Sequence, residues 1–283
     1  MKRFFWVFIV FTVLFLNLGI VAAHAGDSCP PPQSILGKLF HQSANQFTIL
    51  QQQSLDGALC VAVARHQGMF QPRLFIYTKD GKYAFFGTVV NTSDAKPWGQ
   101  NLIAKYSKLD PKVVASLRNI AIHVGSSKTR VVMITDPLCP FCKQMMTELK
   151  PFVAQNRIGL DIVFDTIHKG SHRLARDLLC AKHKDFIADY LNAPQLLQPQ
   201  NQKNLVTCPS GAAILGEMTG ALQTIGVQAT PTFILERNDQ VITGIVPVQA
   251  LLSAASGKPF VPQHPVPPQK PKTIAKTAGV KTK

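Results

Sequence analysis

The chain has 283 residues, 46% of them hydrophobic, with 30 Lys+Arg against 15 Asp+Glu for a formal net charge of +15. That apolar share supports a packed core and excludes a wholly disordered chain, while the length leaves room for two domains. The basic excess does not by itself mark a nucleic-acid binder. Two of the charges (Lys2 and Arg3) lie in the leader, and six lysines lie in an acid-free tail from Lys258 to Lys283, in which Phe260 beside the first of them is the one Phe, Tyr or Trp, too few for a stacking platform.

The N-terminus has the layout of a secretory signal peptide. Lys2 and Arg3 form the charged start, an apolar run extends from Phe4 to about Val21, and Ala23-His24-Ala25 is a small-x-small cleavage site. Residues 1–25 are therefore assigned to export, and an uncleaved anchor is the alternative. In an oxidising compartment the six cysteines read first as disulfides.

Residues 26–97 are expected to form a small α+β unit. Leu36 to Gln53 reads as a helix with one polar side. Leu59–Ala64 and Arg73–Thr78 have strand content, Lys79-Asp80-Gly81-Lys82 is a turn, and Tyr83–Val90 is the returning strand. Residues 98–122 carry helical apolar spacing interrupted at Asp110-Pro111 and are assigned as a helical linker. Residues 123–257 then alternate between types. Arg130–Thr135 is a strand, Pro140–Leu149 a helix and Leu160–Phe164 a second strand, a βαβ pattern that implies parallel neighbours. Helical segments follow over Ser171–Leu191 and Pro209–Ile225. A hairpin of Thr232–Leu235 and Val241–Ile245 comes next, and then a closing helix over Gln249–Ala255. Residues 258–283, rich in Pro and Lys without a periodic apolar face, read as a disordered basic tail. Adhesion to an anionic surface is the sharper role open to it.

The chemistry is carried by Cys139-Pro140-Phe141-Cys142, at the junction of the apolar strand and the helix. Two cysteines three apart can close a disulfide across the first helical turn. The first sits where unpaired N–H groups and the helix dipole favour a thiolate, the attacking species in disulfide exchange. Pro140 suits a first turn because its missing N–H costs little there. Cys142 is expected to be the less exposed and less acidic sulfur. C-x-x-C is also half of a zinc site, and Cys180-Ala181-Lys182-His183 could supply the other half. Assigning Cys139 to Cys142 leaves three arrangements of the other four cysteines, of which Cys29–Cys60 with Cys180–Cys208 is preferred. Thr230-Pro231, just before a strand, reads as a cis-proline loop facing the dithiol, where the preceding backbone can pair with an extended substrate. Asp136 is either a group that tunes a thiol or a turn residue capping the strand end.

The run Ile134-Thr135-Asp136-Pro137-Leu138-Cys139-Pro140-Phe141-Cys142-Lys143-Gln144, with Ala229-Thr230-Pro231, resembles the DsbC/DsbG family of periplasmic disulfide isomerases. The likeness covers nearly the whole mature chain apart from the tail, and the hairpin from Phe75 to Gly87 is similar to the family's N-terminal hairpin. The resemblance implies an α/β thioredoxin fold with a helical insertion, preceded by a cystatin-like dimerisation domain, in a V-shaped homodimer. Cys180 and Cys208 match the structural disulfide of the DsbC branch; Cys29, Cys60 and the basic tail are departures. It implies Cys139 and Cys142 as the catalytic pair, with Thr230, Pro231, Pro140 and Phe141 shaping the substrate wall. It also implies DsbD, a membrane reductase, as electron donor. Isomerisation or reduction of misoxidised exported proteins is then the expected activity, with chaperone action beside it. A dithiol oxidase and a non-catalytic holdase are the alternatives. The dithiol suffices chemically, so no metal or organic cofactor is expected, and no specific nucleic acid.

Overall fold

The structure is a computed structural model, and it describes residues 29–260 apart from 56, 86–88, 94–95 and 228. The expected signal peptide and nearly all of the basic tail lie outside the described residues. Among those described, no helix is long and apolar enough to cross a membrane. The described residues divide into two compact units, those up to Ala64 together with Leu74 to Phe85, and Arg65–Arg73 together with those after residue 88.

In the first unit, α1 (Pro32–Phe40) starts on prolines and ends where His41 turns left-handed at φ 53°. The strands β1 (Phe47–Leu55), β2 (Leu59–His66), β3 (Arg73–Thr78) and β4 (Ala84–Phe85) follow in one sheet, in chain order. Leu36, Phe47, Cys60, Ala62, Phe75 and Tyr77 form its core. The expectation of a helix from Leu36 to Gln53 is corrected here: the helix stops at Phe40 and β1 takes the rest. Gln52 explains how so polar a strand is accommodated, since its side-chain amide donates to the carbonyls of Cys29 and Pro30 and to the Tyr77 hydroxyl.

The second unit opens with the short pair β5 (Val90–Asn91) and β6 (Lys96–Pro97), then α2 (Gln100–Tyr106) and α3 (Pro111–Asn119). Asp110 caps α3 by accepting from the Lys112 amide, and Pro111 occupies the first turn. Residues 98–122 are thus not a linker standing between domains. Val114 and Leu117 are buried in the core of the second unit, and Lys108 bridges to Gln240. The boundary at residue 97 moves as well, since Arg65–Arg73 and the described residues between 89 and 97 group with the second unit.

Five strands form the main sheet: β7 (Ile122–Val124), β8 (Arg130–Thr135), β9 (Gly159–Phe164), β10 (Thr232–Leu235) and β11 (Gln240–Thr243), in the order β11-β10-β8-β9-β7. β8 and β9 are parallel, while β10, β11 and β7 are each antiparallel to their neighbours. The parallel pair is joined by α4 (Pro140–Ala154), the crossover the sequence pattern predicts. Val131 to Thr135 are all buried. Successive strand residues face opposite sides, so helices must cover both faces. α5 (Ser171–Cys180) packs with α7 (Pro209–Ile225), and α4 packs with α6 (Phe186–Asn192) and with α8 (Val248–Ala255). The single helical segment expected over Ser171–Leu191 is broken between α5 and α6. This parallel pair, flanked by an antiparallel hairpin and an edge strand, with α5 and α6 inserted after β9, is a thioredoxin fold with a helical insertion.

Candidate active site: a free dithiol beside a cis-proline loop

β8 runs apolar to its end and delivers Thr135, Asp136 and the dithiol at the C-terminal pole of the parallel strands. Cys139 is the N-cap of α4 with extended backbone, and Pro140 occupies the first helical position. Cys29–Cys60 and Cys180–Cys208 are disulfides, with S–S distances of 2.02 and 2.09 Å, whereas Cys139 and Cys142 are free. The bond to Cys208 takes Cys180 out of any metal set. His183 is engaged as well, 2.7 Å from both Asp189 and the Leu178 carbonyl.

The Thr230–Pro231 peptide is cis. Cys139 Sγ lies 3.6 Å from the Thr230 carbonyl oxygen, to which its thiol donates. Register explains why residues 91 apart in sequence meet: Thr232 pairs with Ile134, so the start of β10 lies beside the end of β8. The cis-proline loop is braced by Thr232, whose hydroxyl donates to the Ala229 carbonyl, and by Gly244, whose amide donates to the Pro231 carbonyl.

Cys142 is 0% exposed and Cys139 3%, so the order of exposure is the expected one but the attacking sulfur is nearly covered. Phe141 between them is 55% exposed. Burial pushes the Cys142 thiol up to about 12, against the opposing pull of the Thr135 hydroxyl, the Asp136 backbone and the Thr230 hydroxyl. That sulfur is held as a thiol.

Asp136 is fully buried and braces the loop. Its carboxylate accepts from the amides of Leu138 (2.7 Å), Ile167 (2.7 Å) and His168 (2.9 Å), with His168 Nδ1 at 3.0 Å. Of the two readings of Asp136, these contacts describe the capping role. Burial, and then the charge of Asp136, push the nearby Asp165 carboxyl up. Tyr190 was missed by sequence reasoning. Its hydroxyl donates to the Asp136 carbonyl at 2.8 Å and lies 2.6 Å from Thr135 Oγ1. Two exposed apolar side chains were missed as well. Ile167 sits on the loop held by Asp136, and Ile245 follows the Gly244 that binds Pro231. Only the strand register puts them at the pole of Phe141.

At the opposite pole the sheet carries a second polar cluster. Asp161 is fully buried and bound by Arg130 (2.5 Å) and His123 (2.6 Å), with Arg118 at 3.3 Å. Burial raises this carboxyl, but the bonds from Arg130 and its neighbours outweigh that and hold it at about 2. The adjacent Glu236 is pushed up to about 7 by burial and by its hydrogen bond to, and repulsion from, Asp161.

No protein-family model and no curated protein matches this chain. Several solved structures are similar to it. The compact conformation of ScsC from Proteus mirabilis is 17% identical, with TM-score 0.42, over 50% of this chain and 75% of that one. A disulfide interchange protein from Neisseria gonorrhoeae is 22% identical, with TM-score 0.39, over 49% and 95% of the two chains. The thiol-disulfide exchange protein α-DsbA2 from Wolbachia pipientis is 14% identical, with TM-score 0.41, over 52% and 94%.

Proposed function

We propose that this chain is a thiol-disulfide exchange enzyme that reduces and isomerises wrong disulfides in exported proteins. The observation that carries the reading is the free Cys139–Cys142 pair, with Cys139 Sγ 3.6 Å from the Thr230 carbonyl of a cis-proline loop, in a chain whose other four cysteines are bonded.

Cys139, as thiolate, attacks a substrate disulfide and forms a mixed disulfide, releasing one substrate thiol. That thiol can attack another cysteine of the same substrate, which frees the enzyme still reduced and completes an isomerisation. If Cys142 instead attacks Cys139, the enzyme leaves oxidised and the substrate reduced. A substrate strand lying along residues 229–231 would pair through backbone groups, which asks nothing of its sequence. The exposed Phe141, Ile167 and Ile245 offer apolar contact of the kind an unfolded chain presents. Working reduced in an oxidising compartment requires an electron donor, for which a DsbD-like membrane reductase is the partner. The periplasm is the location and a homodimer the assembly.

The test is reactivation of a scrambled-disulfide protein by the reduced enzyme, together with thiol trapping of the Cys139–Cys142 pair in cells. Reactivation that is lost in Cys139→Ser, and a pair trapped mainly reduced, support the isomerase reading. A pair trapped mainly oxidised overturns it in favour of an oxidase.

A further inference from the structure

β11 is an edge strand of the main sheet, and its outer edge is covered over only part of its length. Residues 107–109 pair antiparallel with that edge. The Val241 amide donates to the Ser107 carbonyl at 2.8 Å, and the Leu109 amide donates to the Asp239 carbonyl at 3.0 Å. The cover stops at Ser107, whose own amide turns back to the Ala104 carbonyl at the end of α2. Thr243 lies one step further along the edge. Backbone groups alternate sides along a strand, and the Gly244 amide faces Pro231 while the Val241 amide faces Ser107. The Thr243 N–H and C=O therefore point away from β10, and neither has a hydrogen-bond partner among the described residues. Beside this uncovered stretch lies a cavity of about 290 Å³, lined by Ile103, Ala104, Thr243, Ile245, Val246 and Phe260 among others. No charged side chain lines it, although the chain carries a net charge of +15.

We propose that the open end of the β11 edge is a second docking site for the substrate, taking an extended, uncharged segment on one side of the cysteine under attack. The segment's backbone extends the sheet at Thr243, and one of its apolar side chains fills the cavity. This rests on the exchange reading above and names the substrate class of that same pole. Three features favour the substrate as occupant. The edge already accepts an added strand, in residues 107–109. The cavity is continuous with the substrate surface, since the exposed Ile245 follows the Gly244 that binds Pro231. Its uncharged lining penalises a charged side chain and suits the apolar stretches that an unfolded chain presents. The reach fits as well. Cys139 touches Thr230 at the head of β10, and a strand added outside β11 runs two strand spacings away, about 10 Å, which about three extended residues cross.

The experiment gives the reduced full chain a series of peptides, each with one cysteine disulfide-linked to a small thiol. A single leucine is placed at increasing distance from that cysteine, on either side, in a serine-rich background. The second-order rate of peptide reduction is divided by the same protein's rate with a small aromatic disulfide. A leucine about three or four residues away on one side should raise the rate about tenfold over serine, the weight of one partly buried apolar side chain. Aspartate there should give no rise, and Ala104→Phe, which fills the cavity, should cancel the leucine effect. A leucine peptide with serine in place of its cysteine should slow exchange of the wild-type Thr243 amide and leave that of Val241, already bonded to Ser107, as it was. A leucine effect equal at every distance, one that survives Ala104→Phe, or a Thr243 amide that the peptide leaves unprotected overturns the inference. Where Ala104→Phe does not fold, the peptide series and the exchange of the wild type decide. The two readings fail separately: a wild type that does not reduce the small disulfide defeats the exchange reading, whereas reduction without a leucine effect removes only the docking site.

Discussion

Replacing Glu236 by Gln should make the second unit more stable above neutral pH and remove part of its pH dependence. The Glu236 side chain is only 16% exposed and lies against the fully buried Asp161. Arg118 Nε is 3.0 Å from Glu236 Oε1, yet that oxygen has no aligned hydrogen bond. Burial and the neighbouring carboxylate place the Glu236 carboxyl at about 7, from an ordinary 4.5. A folded pKa above the unfolded one means the folded chain holds the proton more tightly. The associated stability is present in full below pH 4.5 and is lost as pH rises through about 7. Carried through linkage, that displacement corresponds to about 3 kcal/mol. Gln keeps the shape and a hydrogen-bond donor toward Asp161 but cannot ionise. The stability difference between variant and wild type should therefore swing by about 3 kcal/mol toward the variant between pH 5 and pH 8. Urea unfolding followed through exchange protection of β9 and β10 amides reads the second unit alone. A difference that stays constant over that interval would refute the carboxyl–carboxylate coupling.

Three further outcomes are expected. Asp136→Ala strips the acceptor from the amides of Leu138, Ile167 and His168, and should cost the second unit at least about 3 kcal/mol in denaturant unfolding, with exchange protection lost first at those amides. Removing Cys180 and Cys208 together opens a loop with a sequence separation of 28, which on chain entropy costs about 3–4 kcal/mol, measured as a lowered unfolding midpoint under non-reducing conditions. Gly226→Ala forces a side chain into a φ of +68° and sets its Cβ 2.8 Å from the Gly68 carbonyl oxygen. It should destabilise by about 1–3 kcal/mol, with the amide of Phe70, which donates to Gly226, losing protection.

Where local chemistry decides an element, the sequence announces it. The strand Arg130–Thr135 and the helix starting at Pro140 stand where the apolar run, the proline and the following spacing place them, because each signal acts within one turn or one strand. The same holds for Pro209–Ile225, which begins on a proline and ends at a left-handed Gly226. The failures share a cause. Residues 47–55 carry three glutamines in a row and look helical until Gln52 finds its acceptors on residues more than 20 positions away. Helices α2 and α3 have an amphipathic pattern equally suited to a free linker, and only the burial of Val114 and Leu117 assigns them to the second unit. The two-residue strands are too short to carry any period.

By itself, the sequence determined where sulfur chemistry can occur, since a proline-started helix after a buried strand offers its first turn to Cys139 and its second cysteine to the interior. Tertiary structure alone decided how that chemistry is governed. Strand register brings Thr230 to Cys139, and the helical insertion brings Tyr190 to Thr135 and Asp136. The physical reason is that the contact of Cys139 with the Thr230 carbonyl, and the repulsion between Asp161 and Glu236, depend on distances between residues far apart in the chain. No periodicity or local propensity encodes such distances.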